Sequence, residues 1–95
     1  MIPANARIGR HPQVAFRSLE TGQGSVLLHL ESGQYHGLNE MGTVIWDLLD
    51  GTKTLSEVQT EVRARVTDPP AGLEEDVARY LDGLHERQLI VISTD

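Results

Sequence analysis

The stretch over residues 32–51 constrains the fold of this chain more than any other segment. A Ser-Gly pair opens it, and glycine supplies the positive φ that a tight hairpin turn needs. A short strand over residues 34–38 follows, and the next residue, Asn39, is suited to cap a helix with its side-chain oxygen. Gly51 ends the helix, since glycine tolerates the left-handed cap conformation. A strand, a cap and a helix are therefore predicted in fixed order, and none of their residues looks catalytic.

Two further strands are predicted before this stretch. Apolar and polar residues alternate over residues 13–19 and again over residues 26–31, which is the period of a half-buried strand. The glycine-rich segment 21–25 between them predicts a turn. If the Ser-Gly turn has a two-residue loop, the register of the second and third strands is fixed. That register places Leu30 opposite Tyr35, His29 opposite His36 and Leu27 opposite Leu38.

Three helices are predicted after the strands. The first carries an apolar stripe at three- and four-residue spacing. Thr54 and Glu57 form the capping box of the second helix, and two consecutive prolines end it. The third helix is predicted over residues 71–88, and a short apolar tail over residues 89–92 follows it as a strand end or as a plug on the core.

This order of elements predicts an α+β domain with a winged helix-turn-helix-like fold, in which a three-stranded antiparallel sheet is followed by three helices. Residues 1–12 show no periodicity and contain two prolines, so we predict a flexible N-terminal arm there. The folded domain is predicted over residues 13–92. A chain of 95 residues leaves room for one domain.

The composition of the chain excludes several classes of protein. Eight basic and fourteen acidic residues give a formal charge of −6, which opposes binding to a phosphate backbone and favours a basic partner. There is no cysteine, so disulfides and thiolate nucleophiles are absent. No apolar run is long enough to cross a membrane, and the N-terminus lacks the apolar block of a signal peptide. We therefore expect a cytoplasmic protein.

The residues offer no catalytic or metal-binding constellation. The serines have no nucleophile-elbow pattern, and no glycine-rich phosphate loop is present, so we expect no catalysis and no cofactor. His29 and His36 are predicted cross-strand neighbours, but neither a cysteine nor a clear acidic residue supplies a third ligand. No metal site is predicted. The carboxylates at 74–76 are explained by the start of the third helix, whose dipole they stabilise.

The run LESGQYHGLNEMGTVIWDLLDGTKTLSEV over residues 30–58 resembles the PqqD-like family, the precursor-peptide recognition elements of ribosomally made, modified peptides. The shared features are a Gly-x-Tyr strand, Leu38-Asn39, Gly42, Ile45-Trp46, Leu48, Asp50-Gly51 and the helix start from Thr54 to Val58. The family's DV..(F/Y)L..L....LI ending is matched by Asp76-Val77, Tyr80-Leu81, Leu84 and Leu89-Ile90. The resemblance covers residues 14–92, and it departs at Gln88, where a glycine is common.

The resemblance implies a domain that binds the leader segment of a precursor peptide and has no chemistry of its own. It is most similar to the discrete leader-binding subunit of lasso-peptide biosynthesis. The implied partners are then a cysteine protease-like leader peptidase and an ATP-dependent cyclase. A PqqD-type peptide chaperone that serves a radical enzyme is the alternative within the family.

The residues suggest how such a leader would bind. An extended peptide can add a strand to a free sheet edge, and the strand over residues 34–38 is the candidate because a helix follows it directly. The third helix is predicted to form the opposite wall of a groove. The predicted peptide-binding residues are Gln34, Tyr35, His36, Gly37, Leu38, Asp76, Val77, Arg79, Tyr80, Leu81 and Leu84.

Two other functions are compatible with this architecture. A DNA-binding winged helix-turn-helix protein would present basic or amide side chains on its recognition helix, whereas five acidic residues outnumber two arginines on the third helix. The acidic excess opposes DNA binding. A structural subunit that stabilises an enzyme without reading a peptide is the second alternative.

Overall fold

The computed structural model describes residues 2–19 and 24–94. Within these ranges the chain forms six strands and three helices, which confirms the predicted α+β class. In chain order they are β1 Arg7–Arg10, β2 Val14–Ser18, β3 Ser25–His29, β4 Tyr35–Leu38, α1 Glu40–Asp47, β5 Asp50–Thr54, α2 Leu55–Arg65, α3 Leu73–Glu86 and β6 Ile90–Ser93.

The strands form two separate antiparallel sheets rather than one. The predicted sheet is present with the order β2-β3-β4, and a second sheet has the order β5-β1-β6. β1 comes from the predicted arm and β5 from the link between the first two helices, and neither segment was predicted as a strand. β6 comes from the apolar tail, which was predicted as a strand end or a plug. The likeness to a winged helix-turn-helix fold is therefore loose.

The N-terminal segment is packed, which departs from the flexible arm predicted over residues 1–12. β1 is the central strand of its sheet, with β5 on one side and β6 on the other. Ile2, Ala6 and Ile8 are buried in the core. Four residues are too few to show a strand period, and the partners of Arg7 are Thr54 and Ser93, far along the chain. Met1 lies outside the described residues.

The register between β3 and β4 differs from the predicted one by two residues. Tyr35 lies opposite Leu28 and His36 opposite Leu27, so the predicted pairing of His29 with His36 is wrong. The cause is a longer turn, in which the N–H of Gly33 donates to the carbonyl of His29 at 2.8 Å. Because the shift is even, every side chain keeps its predicted face. The turn predicted over residues 21–25 lies mostly outside the described residues.

The predicted cap of α1 is confirmed, but its predicted end is not. The Oδ1 atom of Asn39 accepts a hydrogen bond from the N–H of Gly42 at 2.8 Å. The helix ends at Asp47, and β5 begins at Asp50 where a cap was expected. The guanidinium of Arg10 donates to the carbonyl of Trp46 at 3.0 and 3.1 Å and lies 5.7 Å from the centre of the Trp46 ring. Arg10 therefore ties the end of α1 to β1.

The two remaining helices are held together by polar contacts. Both hydrogen bonds of the predicted capping box at Thr54 and Glu57 are present. Arg63 on α2 forms an ion pair with Glu74 in the first turn of α3, with Nη2 and Oε1 2.7 Å apart. Gln59 also donates to the backbone carbonyl of Glu74 at 2.9 Å. No helix within the described ranges combines the length and apolarity needed to cross a membrane.

Candidate functional site

β4 is the edge strand of its sheet. It pairs with β3 on one side, and among the described residues no strand pairs with its other side. The N–H of His29 donates to the carbonyl of Gln34 at 3.0 Å, so His29 and Gln34 are a hydrogen-bonded pair of the antiparallel ladder. Bonded and non-bonded pairs alternate along an antiparallel ladder, so the even-numbered residues of β4 bond to β3. Tyr35 and Gly37 therefore turn their N–H and C=O groups towards the free edge.

The side chains of β4 alternate between the two faces of the sheet. Leu38 is buried in the core, and His36 on the same face is half-buried. The ring of Tyr35 is 71% exposed on the opposite face, where it lies near Leu28 and Phe16. Tyr35 can thus contribute its backbone to a guest strand, while its ring lies outside the predicted groove.

α3 lies beside the free edge and forms two clefts with it. One cleft of about 220 Å³ is lined by His36, Gly37, Leu38, Arg79, Tyr80, Gly83, Leu84 and Arg87. The other, of about 160 Å³, lies at the start of α1 and is lined by Asn39, Met41, Gly42, Ile45, Leu73, Asp76, Val77 and Tyr80. We call the two clefts together the α3 groove. Tyr80 lines both, so its ring stands at the boundary between them.

Tyr80 is the half-buried residue at the centre of the α3 groove. Burial raises the pKa of its hydroxyl, and the nearby charge of Arg87 partly offsets that rise. The hydroxyl also comes very close to α1, because a Cβ atom added to Gly42 would lie 2.3 Å from it. A glycine at position 42 is therefore what allows the Tyr80 ring to reach across to the first turn of α1.

The charges around the α3 groove are unevenly placed. Arg79 and Arg87 both line the cleft beside His36. Asp76 lines the other cleft, and its carboxylate lies 3.5 Å from the Arg79 guanidinium. The cleft at β4 thus offers positive charge, and the cleft at α1 offers a carboxylate. An extended peptide lying along the α3 groove would therefore face positive charge at one cleft and negative charge at the other.

Most of the predicted site residues come together around the α3 groove. Eight of them line it: His36, Gly37, Leu38, Asp76, Val77, Arg79, Tyr80 and Leu84. Leu81 is fully buried in the core and does not line the groove. Gln34 lies in a neighbouring cleft with His29 and Arg87.

Seven groove residues were not among the predicted site residues: Asn39, Met41, Gly42, Ile45, Leu73, Gly83 and Arg87. A signal for two of them was present, because Gly83 and Arg87 follow Arg79 at intervals of four and so share its helix face. The contribution of α1 had no such signal. It depends on how α1 packs against α3.

The fold and the groove together define a small α+β domain with a free strand edge beside a helix. The chain belongs to the PqqD family, because the family model described as coenzyme PQQ synthesis protein D (PqqD) matches residues 24–90. The resemblance seen in the sequence is thereby confirmed. No curated protein shows significant sequence similarity to the chain.

Three solved structures have the same fold. TbiB1 in complex with the TbiA(beta) leader peptide is 28% identical, with a TM-score of 0.76 over 92% of this chain and 99% of that one. Lasso peptide synthetase B1 complexed with the leader peptide is 21% identical, with a TM-score of 0.74 over 90% and 98%. The PqqD truncation of Methylobacterium extorquens PqqCD, a stand-alone recognition element, is 22% identical, with a TM-score of 0.70 over 96% and 95%.

Proposed function

We propose that this chain binds the leader segment of a ribosomal precursor peptide by adding it as a strand to β4. The observation that carries the proposal is the free edge of β4, with the N–H and C=O groups of Tyr35 and Gly37 turned outward beside the α3 groove. Main-chain bonds to such an edge supply affinity, and adjoining pockets supply selectivity. The leader-peptide complex of TbiB1, at 28% identity, supports this use of the fold.

In this proposal the leader lies antiparallel to β4. Apolar leader side chains enter the two clefts on either side of Tyr80. Arg79 and Arg87 face an acidic or polar group of the leader at the β4 cleft, and Asp76 faces a polar or basic group at the α1 cleft. Because the groove is small, affinity rests on a few anchors, with Tyr80 at their centre.

The proposed biological role is delivery of the precursor without chemistry. The chain would hand the leader-bound precursor to a cysteine protease-like leader peptidase and an ATP-dependent cyclase, as in lasso-peptide maturation in the cytoplasm. The fold shared with lasso peptide synthetase B1, solved with a leader peptide, favours the lasso pathway. A PqqD-type chaperone for a radical enzyme is the second candidate, and the family model favours it.

The acidity of α3 opposes DNA binding as the use of this fold. Its first turn presents Glu74, Glu75 and Asp76, and the chain carries a formal charge of −6. A recognition helix of this sign would be repelled by phosphate. Arg79 and Arg87 line the small cleft beside β4, where they would face a bound peptide.

A fluorescence titration tests the proposal. Labelled leader peptides of the precursors encoded in the same genome, and a labelled duplex DNA, are each titrated with the protein. We expect saturable binding of the leader alone. Tyr80→Glu is expected to weaken that binding by tenfold or more, on the order of a hot-spot residue.

Val91→Glu is the matched control, because it places the same charge on an exposed apolar residue of the other sheet. Binding of DNA alone, or equal leader affinity of the Tyr80→Glu and Val91→Glu proteins, would overturn the proposal.

A further inference from the structure

The structure gathers a cluster of possible metal ligands away from the α3 groove. One ring nitrogen of His11, one of His29 and one carboxylate oxygen of Glu31 lie within 4.8 Å of one another. The two imidazole rings are 5.0 Å apart at their centres and inclined at 44°. The sequence suggested His36 as the neighbour of His29, but the observed register places His36 opposite Leu27. The neighbours of His29 are instead His11, from the segment before β2, and Glu31.

A second, independent observation concerns the burial and hydrogen bonding of the His29 side chain. Its side chain is only 4% exposed, and its Nε2 atom has no hydrogen-bond partner among the described residues. A buried polar side-chain atom without a partner is uncommon in folded proteins and calls for an explanation. An ion bound at this Nε2 atom would supply the missing partner, and Nε2 is therefore the nitrogen that we assign as the ligand atom of His29.

We propose that His11, His29 and Glu31 bind a divalent transition-metal ion of the zinc type. Imidazole nitrogens with one carboxylate oxygen suit Zn²⁺ and its neighbours, whereas Mg²⁺ and Ca²⁺ prefer oxygen ligands alone. Bonds of about 2.1 Å in a tetrahedron need donors about 3.4 Å apart, so the cluster must close slightly around the ion. Glu31 is exposed, so its side chain has room to move towards His29. The Nδ1 atom of His11 accepts a hydrogen bond from the N–H of Gln13 at 3.0 Å and leaves Nε2 for the ion.

Binding at Nε2 sets the tautomer of the His29 ring. A neutral ring that gives its Nε2 lone pair to a metal carries its proton on Nδ1. Nδ1 at present accepts a contact from the N–H of Glu31 at 3.3 Å, beyond the usual length of such a bond. That contact is lost once Nδ1 carries the proton, and at 3.3 Å it is a weak one.

The position of the cluster indicates a structural clamp with one open coordination position. His11 precedes β2, His29 ends β3, and Glu31 lies in the turn that leads to β4. An ion would join these three segments beside the turn between β3 and β4. His29 and Glu31 also line a cleft of about 490 Å³, from which water or a guest group could supply the fourth ligand. This inference does not depend on the proposed leader binding.

Metal titration of the untagged whole chain, after removal of metals with a chelator, tests the inference without any peptide. Calorimetry with Zn²⁺ is expected to show one site, Zn²⁺ is expected to raise the melting temperature, and Mg²⁺ is expected to do neither. His11→Ala and Glu31→Gln should each weaken Zn²⁺ binding by at least tenfold, since even outer-shell partners contribute about 10- to 100-fold.

The control variants are His85→Ala and Glu75→Gln, which remove exposed groups of the same types on α3. They are expected to bind Zn²⁺ as the unaltered chain does. No saturable binding of Zn²⁺, or binding that His11→Ala and Glu31→Gln leave equal to the controls, would overturn the inference.

Discussion

The contact between Gly42 and Tyr80 shows how one missing side chain shapes the α3 groove. Alanine normally stabilises a helix interior by about 1 kcal/mol relative to glycine. Here a Cβ atom at position 42 would lie 2.3 Å from the Tyr80 hydroxyl and 3.1 Å from its Cζ atom. The overpacking cost of about 1–3 kcal/mol should exceed the helix gain. Gly42→Ala is therefore expected to lower the free energy of unfolding, as measured by urea denaturation.

The double variant Gly42→Ala/Tyr80→Phe provides the control for this prediction. Removing the hydroxyl takes away the closest contact and leaves the milder ones to the Tyr80 Cζ atom and the Asn39 Oδ1 atom. We expect the second substitution to restore most of the lost stability. A Gly42→Ala protein more stable than the unaltered chain would show that the ring moves aside at no cost.

Arg10 gives a second prediction at the level of a single residue. Its guanidinium donates to the carbonyls of Trp46 and Asp47, at the end of α1 where backbone acceptors are left without helical partners. Lysine keeps the charge but cannot reproduce the forked geometry. Arg10→Lys is expected to cost about 1 kcal/mol of unfolding free energy, and Arg10→Met more. Equal stability of the two variants would mean that the hydrogen bonds of the Arg10 guanidinium contribute nothing beyond the packing of the side chain.

Among the secondary-structure elements, the ion pair between α2 and α3 predicts a pH dependence. The hydrogen bonds that the Glu74 carboxylate accepts, first from the Arg63 guanidinium and then from its own backbone N–H, lower the pKa of Glu74 from 4.5 to about 2. A lowered pKa in the folded state means that the pair stabilises the fold above pH 4.5. That stabilisation is lost as the pH falls from 4.5 towards 2.

Glu74→Gln should therefore be less stable than the unaltered chain at pH 7, and the difference should shrink at pH 3. The effect is expected to be small because both side chains are 41% exposed. Glu75→Gln, in the same first turn of α3, removes a charge without removing this ion pair. A Glu74→Gln difference that stays constant between pH 7 and pH 3 would contradict the assignment.

The edge of β4 predicts the effect of one backbone substitution. Gly37 turns its N–H outward, so proline there removes a donor of the free edge while the bonds to β3 are kept. Gly37→Pro is expected to weaken leader binding by about tenfold, the equivalent of one hydrogen bond, in a protein that still folds. Gly37→Ala is the control, because a Cβ atom there meets no atom within 4 Å and the N–H remains.

Across the whole molecule, the features fixed by local sequence were predictable and those fixed by distant contacts were not. The capping box at Thr54 and the cap at Asn39 depend on residues three positions apart, and both are present. The second sheet joins β1 to β5 and β6 across most of the chain, and its strands are too short to show a period.

In the candidate site, too, the features set by local sequence were predictable and those set by distant contacts were not. The edge position of β4 could be predicted because a helix follows it at once, and the wall residues could be predicted from the apolar stripe of α3. The exposure of each residue could not be predicted from that stripe. Leu81 belongs to the core although it shares the stripe with Tyr80, because one helix serves the core and the groove together.

Hydrogen exchange of backbone amides, with and without a saturating leader peptide, tests the central claim most directly. The amides of Tyr35 and Gly37 should exchange quickly in the free protein and slowly in the complex. The N–H of Leu30 donates to the carbonyl of Gln13 at 2.7 Å, so by the same alternation Phe16 and Ser18 turn their amides to the other edge of this sheet. Those two amides should remain fast with and without the leader. Slow exchange of Tyr35 and Gly37 in the free protein, or no added protection at saturation, would contradict strand addition at β4.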